Sequence, residues 1–127
     1  MAEVRTGEGW SAATLDDLGD GPGFRKVRAK LGVEAFGVNA VVLPASYATK
    51  PHYHERQEEL YLVLDGEIEF TLDGEKVTLG RGGMVRVAPG VVRSLRNTSP
   101  DEEASYFAVG AAGGYVGRDG VNPPAAP

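Results

Sequence analysis

The sequence predicts an all-β fold, a sandwich or barrel built from short strands. Three observations carry that expectation. Eighteen glycines and eight prolines cut the 127 residues into short runs, the punctuation of sandwiches and barrels. Two Asp-Gly pairs, Asp65-Gly66 and Asp73-Gly74, mark tight hairpins, because glycine takes the positive φ that such turns demand. Between them Ile68, Phe70 and Leu72 alternate with Glu67, Glu69 and Thr71. That is the period of a strand with one face buried.

Taken in order, residues 10–19 form the one segment suited to a short helix, capped by Ser11 or Asp16. Strands are expected over 24–30, 33–43, 49–54, 58–64, 67–72, 76–79, 85–88, 91–97 and 105–109. Beyond its acidic start, 58–64 is apolar on both faces. Such a strand is expected to be buried on two sides, in a sandwich interior or under a partner subunit. Residues 111–127 are rich in Gly, Ala and Pro with little to bury, so this tail is expected to be mobile or draped on a neighbour. The resulting organisation is an N-terminal arm (1–23), one β-barrel domain (24–110) and a flexible C-terminal tail (111–127). No internal repeat is present.

Composition bounds the function. Apolar residues make up 42% and charged residues 24%, close to globular averages. The net charge of −5 argues against a nucleic-acid surface, which needs a basic cluster. With no cysteine, disulfides and thiolate metal sites are excluded. No stretch reaches the length of a membrane span, and the first ten residues lack the apolar segment of a signal peptide. A cytoplasmic protein without membrane partners is the expectation.

The only histidines, His52 and His54, lie two residues apart in Pro51-His-Tyr-His-Glu-Arg-Gln-Glu-Glu59. On an extended strand residues i and i+2 share a face, so both imidazoles can converge on one point. Glu59 follows after five residues and Gly66 after seven more. Two imidazoles and a carboxylate are a common ligand set for a divalent metal such as Fe, Mn, Ni or Zn. Glu58 falls one residue out of step and is expected to face away. Tyr61 shares the parity of Glu59 and is expected to line the same cavity, within reach of a substrate. The glycines around 80–83 match neither phosphate-binding arrangement, and the chain has neither a Ser/His/Asp signature nor a cysteine nucleophile. No catalytic residue can be named.

The pattern His52-x-His54-x4-Glu59-x6-Gly66 resembles the first motif of the cupin superfamily. Gly82-x5-Ala88-Pro89-Gly90-x2-Arg93-x3-Asn97 resembles the second, which ordinarily reads G-x5-P-x-G-x2-H-x3-N. The resemblance covers roughly residues 40 to 110. It implies a double-stranded β-helix, a jelly-roll barrel, often found as a homodimer. Ser46 replaces an opening glycine and Ala88 a proline, both changes at turns. Arg93 is the larger departure, standing where the family carries a histidine as fourth metal ligand.

Strand alternation puts Val91, Arg93 and Leu95 on one face, so in the family register the Arg93 guanidinium points toward His52, His54 and Glu59. Arginine stays protonated and cannot ligate. A unit charge about 4 Å from a dication is repelled by on the order of 8 kcal/mol at an effective dielectric near 20. Arg93 therefore either swings away from a bound metal or replaces its charge and pairs with Glu59. Three readings follow. In the first, His52, His54 and Glu59 hold a divalent metal with open positions, suited to oxygenase or isomerase chemistry, and Arg93 anchors an anionic substrate. In the second, a metal-free barrel binds or senses a small polar or anionic metabolite against Arg93. In the third, Glu59 and Arg93 form a buried ion pair and the histidines only fill the core.

Overall fold

The computed structural model describes residues 4–124; the outermost ends of the expected arm and tail lie outside them. The arm opens with a hairpin of β1 (Arg5–Gly7) and β2 (Trp10–Ala12). The helix expected over 10–19 shrinks to a single 3-10 turn, Leu15–Leu18, preceded by Thr14 rather than Ser11 or Asp16. The Asp17 carboxylate accepts from the Thr14 N–H at 3.0 Å, while the Ser11 hydroxyl is drawn off to the Leu31 carbonyl at 2.6 Å.

The strand expected over 24–30 is also divided. β3 (Gly23–Arg25) stops early, and α1 (Val27–Leu31) takes over. The physical reason is burial. Val27 and Leu31, four residues apart, share one helical face and pack with Val38 and Ala40. Gly32, in the left-handed conformation, ends the helix with its N–H on the Arg28 carbonyl.

The remaining strands are β4 (Gly37–Leu43), β5 (Tyr53–His54), β6 (Glu58–Asp65), β7 (Ile68–Leu72), β8 (Glu75–Leu79), β9 (Met84–Val87), β10 (Arg93–Asn97), β11 (Ala104–Ala111) and β12 (Gly120–Val121). A five-stranded sheet runs β3-β4-β11-β6-β9 and faces a three-stranded sheet, β10-β7-β8. Every pairing is antiparallel. This is the all-β, double-stranded β-helix expected from the sequence. Of the two expected Asp-Gly hairpins, the one at Asp73-Gly74 forms between β7 and β8, whereas Asp65-Gly66 turns the chain from the large sheet into the small one, because β6 pairs with β11 and β9 and β7 with β10 and β8. Asp73 and Gly74 both take positive φ (48° and 87°), the geometry of a two-residue hairpin turn. Gly66 combines positive φ with a tight approach, since a Cβ there would lie 2.8 Å from that of Ala104.

Inward side chains of both sheets make the main core: Val41, Leu43, Val63, Ile68, Phe70, Leu95 and their neighbours. A second, smaller cluster lies on the outer face of the large sheet, where α1 and the 3-10 turn cover Val38 and Ala40. That cover does not extend across β6. Tyr61 and Val63 are buried, but Leu60 on the opposite face is 45% exposed, so within one chain the strand is buried on one side and not in a sandwich interior.

The C-terminal segment is likewise not loose within the described residues. β12 pairs with β5, matching Gly120 to His54 and Val121 to Tyr53. Val116 and Asp119 are buried against the barrel. The 49–54 strand is irregular. It meets β10 through the single bridges Ala48–Arg96 and His52–Arg93, and only Tyr53–His54 is continuous strand.

Candidate metal centre in the barrel

The site stands at one end of the barrel, where β5, β6 and β10 converge. His52 is fixed through its backbone, exchanging hydrogen bonds with Arg93 at 2.9 and 2.8 Å. The His54 carbonyl accepts from the Gly90 N–H at 2.8 Å, and its backbone pairs with Gly120. With both ends held, the two rings meet edge to face with centroids 5.2 Å apart. Glu59 enters from β6. One ligand atom from each of His52, His54 and Glu59 lies within 4.8 Å of the others. The three residues singled out as metal ligands are thus brought together.

One oxygen of Glu59 organises the cluster. Its Oε1 accepts from the Tyr61 hydroxyl at 2.7 Å and from Arg93 Nη2 at 3.0 Å, and His54 Nε2 lies 3.3 Å away. Burial pushes the Glu59 carboxyl pKa up. The hydrogen bonds from His54 and Tyr61, with the charges of His54 and Arg93, outweigh that and hold it below the usual carboxylate range. Burial, then the charges of Arg93 and His54, push the His52 pKa down, so His52 favours the neutral form a metal needs. Tyr61 and Tyr106 have their phenol pKa values raised, chiefly by burial and next by Glu59. Both remain hydrogen-bond donors at neutral pH.

Arg93 pairs with Glu59, one of the two arrangements expected of its charge. It points inward, as the strand alternation required, but it is fully buried and is not among the residues lining the cavity. Its Nη1 donates to the Val91 carbonyl at 2.8 Å and its Nη2 to Glu59, and Nε has no partner among the described residues. The guanidinium is paired with the Glu59 carboxylate, which lines the cavity where Arg93 does not. Tyr61 does line the cavity, which measures about 320 Å³ and is bounded also by His52, His54, Gln57, Glu59 and Tyr106. Glu58 faces away and pairs with Arg86.

Two residues of the site carried no sequence signal. Gln57 is buried and places its Nε2 3.0 Å from His54 Nδ1. Gly110 leaves it room, because a Cβ there would collide with Gln57 Oε1 and press on Glu59 Cγ. Asp119 comes from the C-terminal segment. Its Oδ2 accepts from the backbone N–H groups of Arg56 and Gln57, both at 2.9 Å, and lies 3.9 Å from His54 Nδ1. Burial raises the Asp119 carboxyl pKa, but these two hydrogen bonds outweigh it and leave the pKa lowered.

The donor set fits a divalent metal. Two imidazoles and a carboxylate converge, and the Glu59 hydrogen bonds fall on Oε1, leaving Oε2 to bind. The cluster offers three ligands, and Arg93 stands at the sequence position where the family carries a fourth.

Comparison with known proteins agrees with the architecture. The family model described as Cupin domain matches residues 39–110, more than half of the chain. An uncharacterized protein of Aquifex aeolicus is 37% identical over 71 residues, which cover 56% of this chain and 56% of that one. This chain thus matches about half the length of that curated relative. The crystal structure of a cupin protein from Bacteroides fragilis superposes with a TM-score of 0.69 at 25% identity, covering 91% of this chain and 98% of that one. A predicted oxalate decarboxylase from Thermotoga maritima gives a TM-score of 0.59 at 25% identity, covering 67% and 73%. With the two-sheet barrel, the inward His-His-Glu cluster and the match over 39–110 all in hand, this chain belongs to the cupin domain family.

Proposed function

We propose that this protein binds a small polar metabolite in its barrel at a divalent metal held by His52, His54 and Glu59. The observation that carries the reading is the convergence of those three donors within 4.8 Å at the wall of a 320 Å³ cavity. When bound, the metal would supply Lewis acidity to a coordinated oxygen of the ligand. The chain's own residues do the rest. Tyr61 and Arg93 hold Glu59 ionised and in one orientation, and burial keeps His52 neutral. The Tyr61 and Tyr106 side chains bound the cavity and give it neutral walls. Oxygenase or isomerase chemistry is the finer reading this centre supports. Metal analysis by plasma mass spectrometry on untagged protein, beside His52→Ala, tests it. A near-stoichiometric metal lost in the variant is the expected result. Equal metal in both proteins, or none after reconstitution with Fe, Mn, Ni and Zn, would remove the metal centre.

A second reading rests on Arg93. Its guanidinium already stands 3.0 Å from Glu59 and supplies the positive charge a metal would bring. In that case the barrel binds or senses an organic metabolite without metal. A thermal-shift screen of metal-stripped protein against small carboxylates, phosphates and polyols tests it, and stabilisation that survives chelator is the expected result. Assembly as a homodimer is also proposed, through the outer face of β6 and β9. There Leu60 and Met84 are 45% and 63% exposed, apolar surface that association would cover.

A further inference from the structure

The tautomer of His54 separates two states of the site. Gln57 Nε2, an amide donor, lies 3.0 Å from His54 Nδ1. With the amide oriented this way, Nδ1 offers the lone pair and the ring proton goes to Nε2, toward Glu59 Oε1 3.3 Å away. A metal at Nε2 needs the lone pair there, so the proton must move to Nδ1. An Nδ1–H then faces the Gln57 amide hydrogens, donor against donor, and needs an acceptor. Asp119 Oδ2 is the carboxylate oxygen beside it, 3.9 Å away and 5% exposed on its side chain. Closing that gap by about 1 Å would make a charge-assisted hydrogen bond. Gln57 could serve only by turning its amide over, whereas Asp119 carries a full negative charge in place. Metal-bound histidines commonly hand their second N–H to a carboxylate in this way.

Asp119 is held for that task by the chain it arrives on. Its Oδ2 accepts from Arg56 and Gln57 N–H, its own carbonyl accepts from the Glu55 N–H at 3.3 Å, and β12 pairs with the His54 strand. The carboxylate and the turn between His54 and Glu59 are thus one unit. Residue 119 lies outside the segment matched by the family, 39–110.

We propose that Asp119 is the positioning residue that holds His54 in the Nδ1–H tautomer its metal binding requires, making the C-terminal segment part of the metal centre. This rests on the metal-centre reading above. Calorimetry with Zn2+ alone on metal-stripped protein tests it, comparing wild type, Asp119→Asn, Asp119→Glu and His52→Ala. Hydrogen exchange at Gly120 and Val121 serves as a separate readout of tail docking. Asparagine keeps an oxygen for the Arg56 and Gln57 N–H groups but loses the charge. The expected result is Zn2+ affinity lower by about tenfold or more in Asp119→Asn, unchanged exchange in the tail, and partial recovery in Asp119→Glu. Wild-type affinity in Asp119→Asn, or no advantage of glutamate over asparagine, would make Asp119 only a latch for the tail and overturn the proposal. If both variants loosen the tail, the difference between them still reads the charge. Wild-type binding no better than His52→Ala would instead bring down the metal centre itself, and this proposal with it.

Discussion

The two ends of the barrel interior are built from the same strands and solve opposite problems. On β10, Leu95 points into the core and Arg93, two residues earlier, points into the site; they are 1% and 0% exposed. On β6, Val63 belongs to the core and Glu59 to the site, with Tyr61 between them touching both. At the core end, apolar side chains such as Phe70, Ile68 and Leu95 need only shape to fit one another. At the site end, each inward charge needs a partner, and a single carboxylate oxygen meets three donors. The difference teaches where this fold is fragile. Removing a core side chain leaves a void, whereas removing Glu59 leaves a charge.

The largest expected effects test that contrast directly. Glu59→Ala strands Arg93 as a buried, uncompensated cation, and the expected loss is about 3–5 kcal/mol. Phe70→Ala, at the other end, should cost a similar 3–5 kcal/mol by cavity formation. Urea unfolding of both variants checks the pair, and the double variant Glu59→Ala/Arg93→Met should recover much of the first loss and none of the second. A Glu59→Ala protein as stable as wild type would mean that the guanidinium finds water, and the comparison would break.

Arg93→His removes the repelling charge and adds a ligand at the fourth position, so affinity for Zn, Ni or Co should rise by about tenfold or more. Calorimetry on metal-stripped protein checks this. Unchanged affinity would mean that Arg93 does not limit the site.

Acid should separate the two ends as well. His52 has a pKa below the unfolded value of about 6.5, so between those values the unfolded chain binds more protons. Stability is therefore lost as pH falls through that range. Glu59, also depressed, adds stability that is present above its unfolded pKa and lost as pH falls through its folded value. Chemical denaturation from pH 7.5 to 5 should show the His52 part, and His52→Gln should flatten it; a slope unchanged in His52→Gln would assign it elsewhere.

The smallest effect is expected outside the barrel. Leu60→Ser should change monomer stability by only about 0.5 kcal/mol, as at other surface positions, yet shift sedimentation from dimer toward monomer. Monomer at all concentrations in the wild type would remove the dimer.

Local rules made much of this legible. The Asp73-Gly74 turn fixes the β7–β8 hairpin through backbone conformation alone, while Asp65-Gly66 marks a tight turn but not the strands it joins, which lie in different sheets. The 67–72 alternation appears in β7 as buried Ile68 and Phe70. The i, i+2 spacing of the histidines and the inward parity of Glu59, Tyr61 and Arg93 follow from the strand period. Where the local rule had competition, it failed. Residues 24–30 read as strand, but Val27 and Leu31 gained burial by turning helical against the sheet. The 58–64 strand read as apolar on both faces, and within one chain only one of them is covered, because the pattern names apolar faces, not what covers them.

By itself, then, the sequence determined the all-β class, the Asp73-Gly74 hairpin and the trio His52, His54 and Glu59, because each depends on residues near one another in the chain. Only the tertiary structure decided that Arg93 pairs with Glu59 and does not line the cavity, since that depends on how deep β10 lies. It alone brought Asp119 to His54 Nδ1, beside Gln57. The approach of Asp119 comes from a C-terminal segment folding back across more than sixty residues of chain, a closure that no local periodicity encodes.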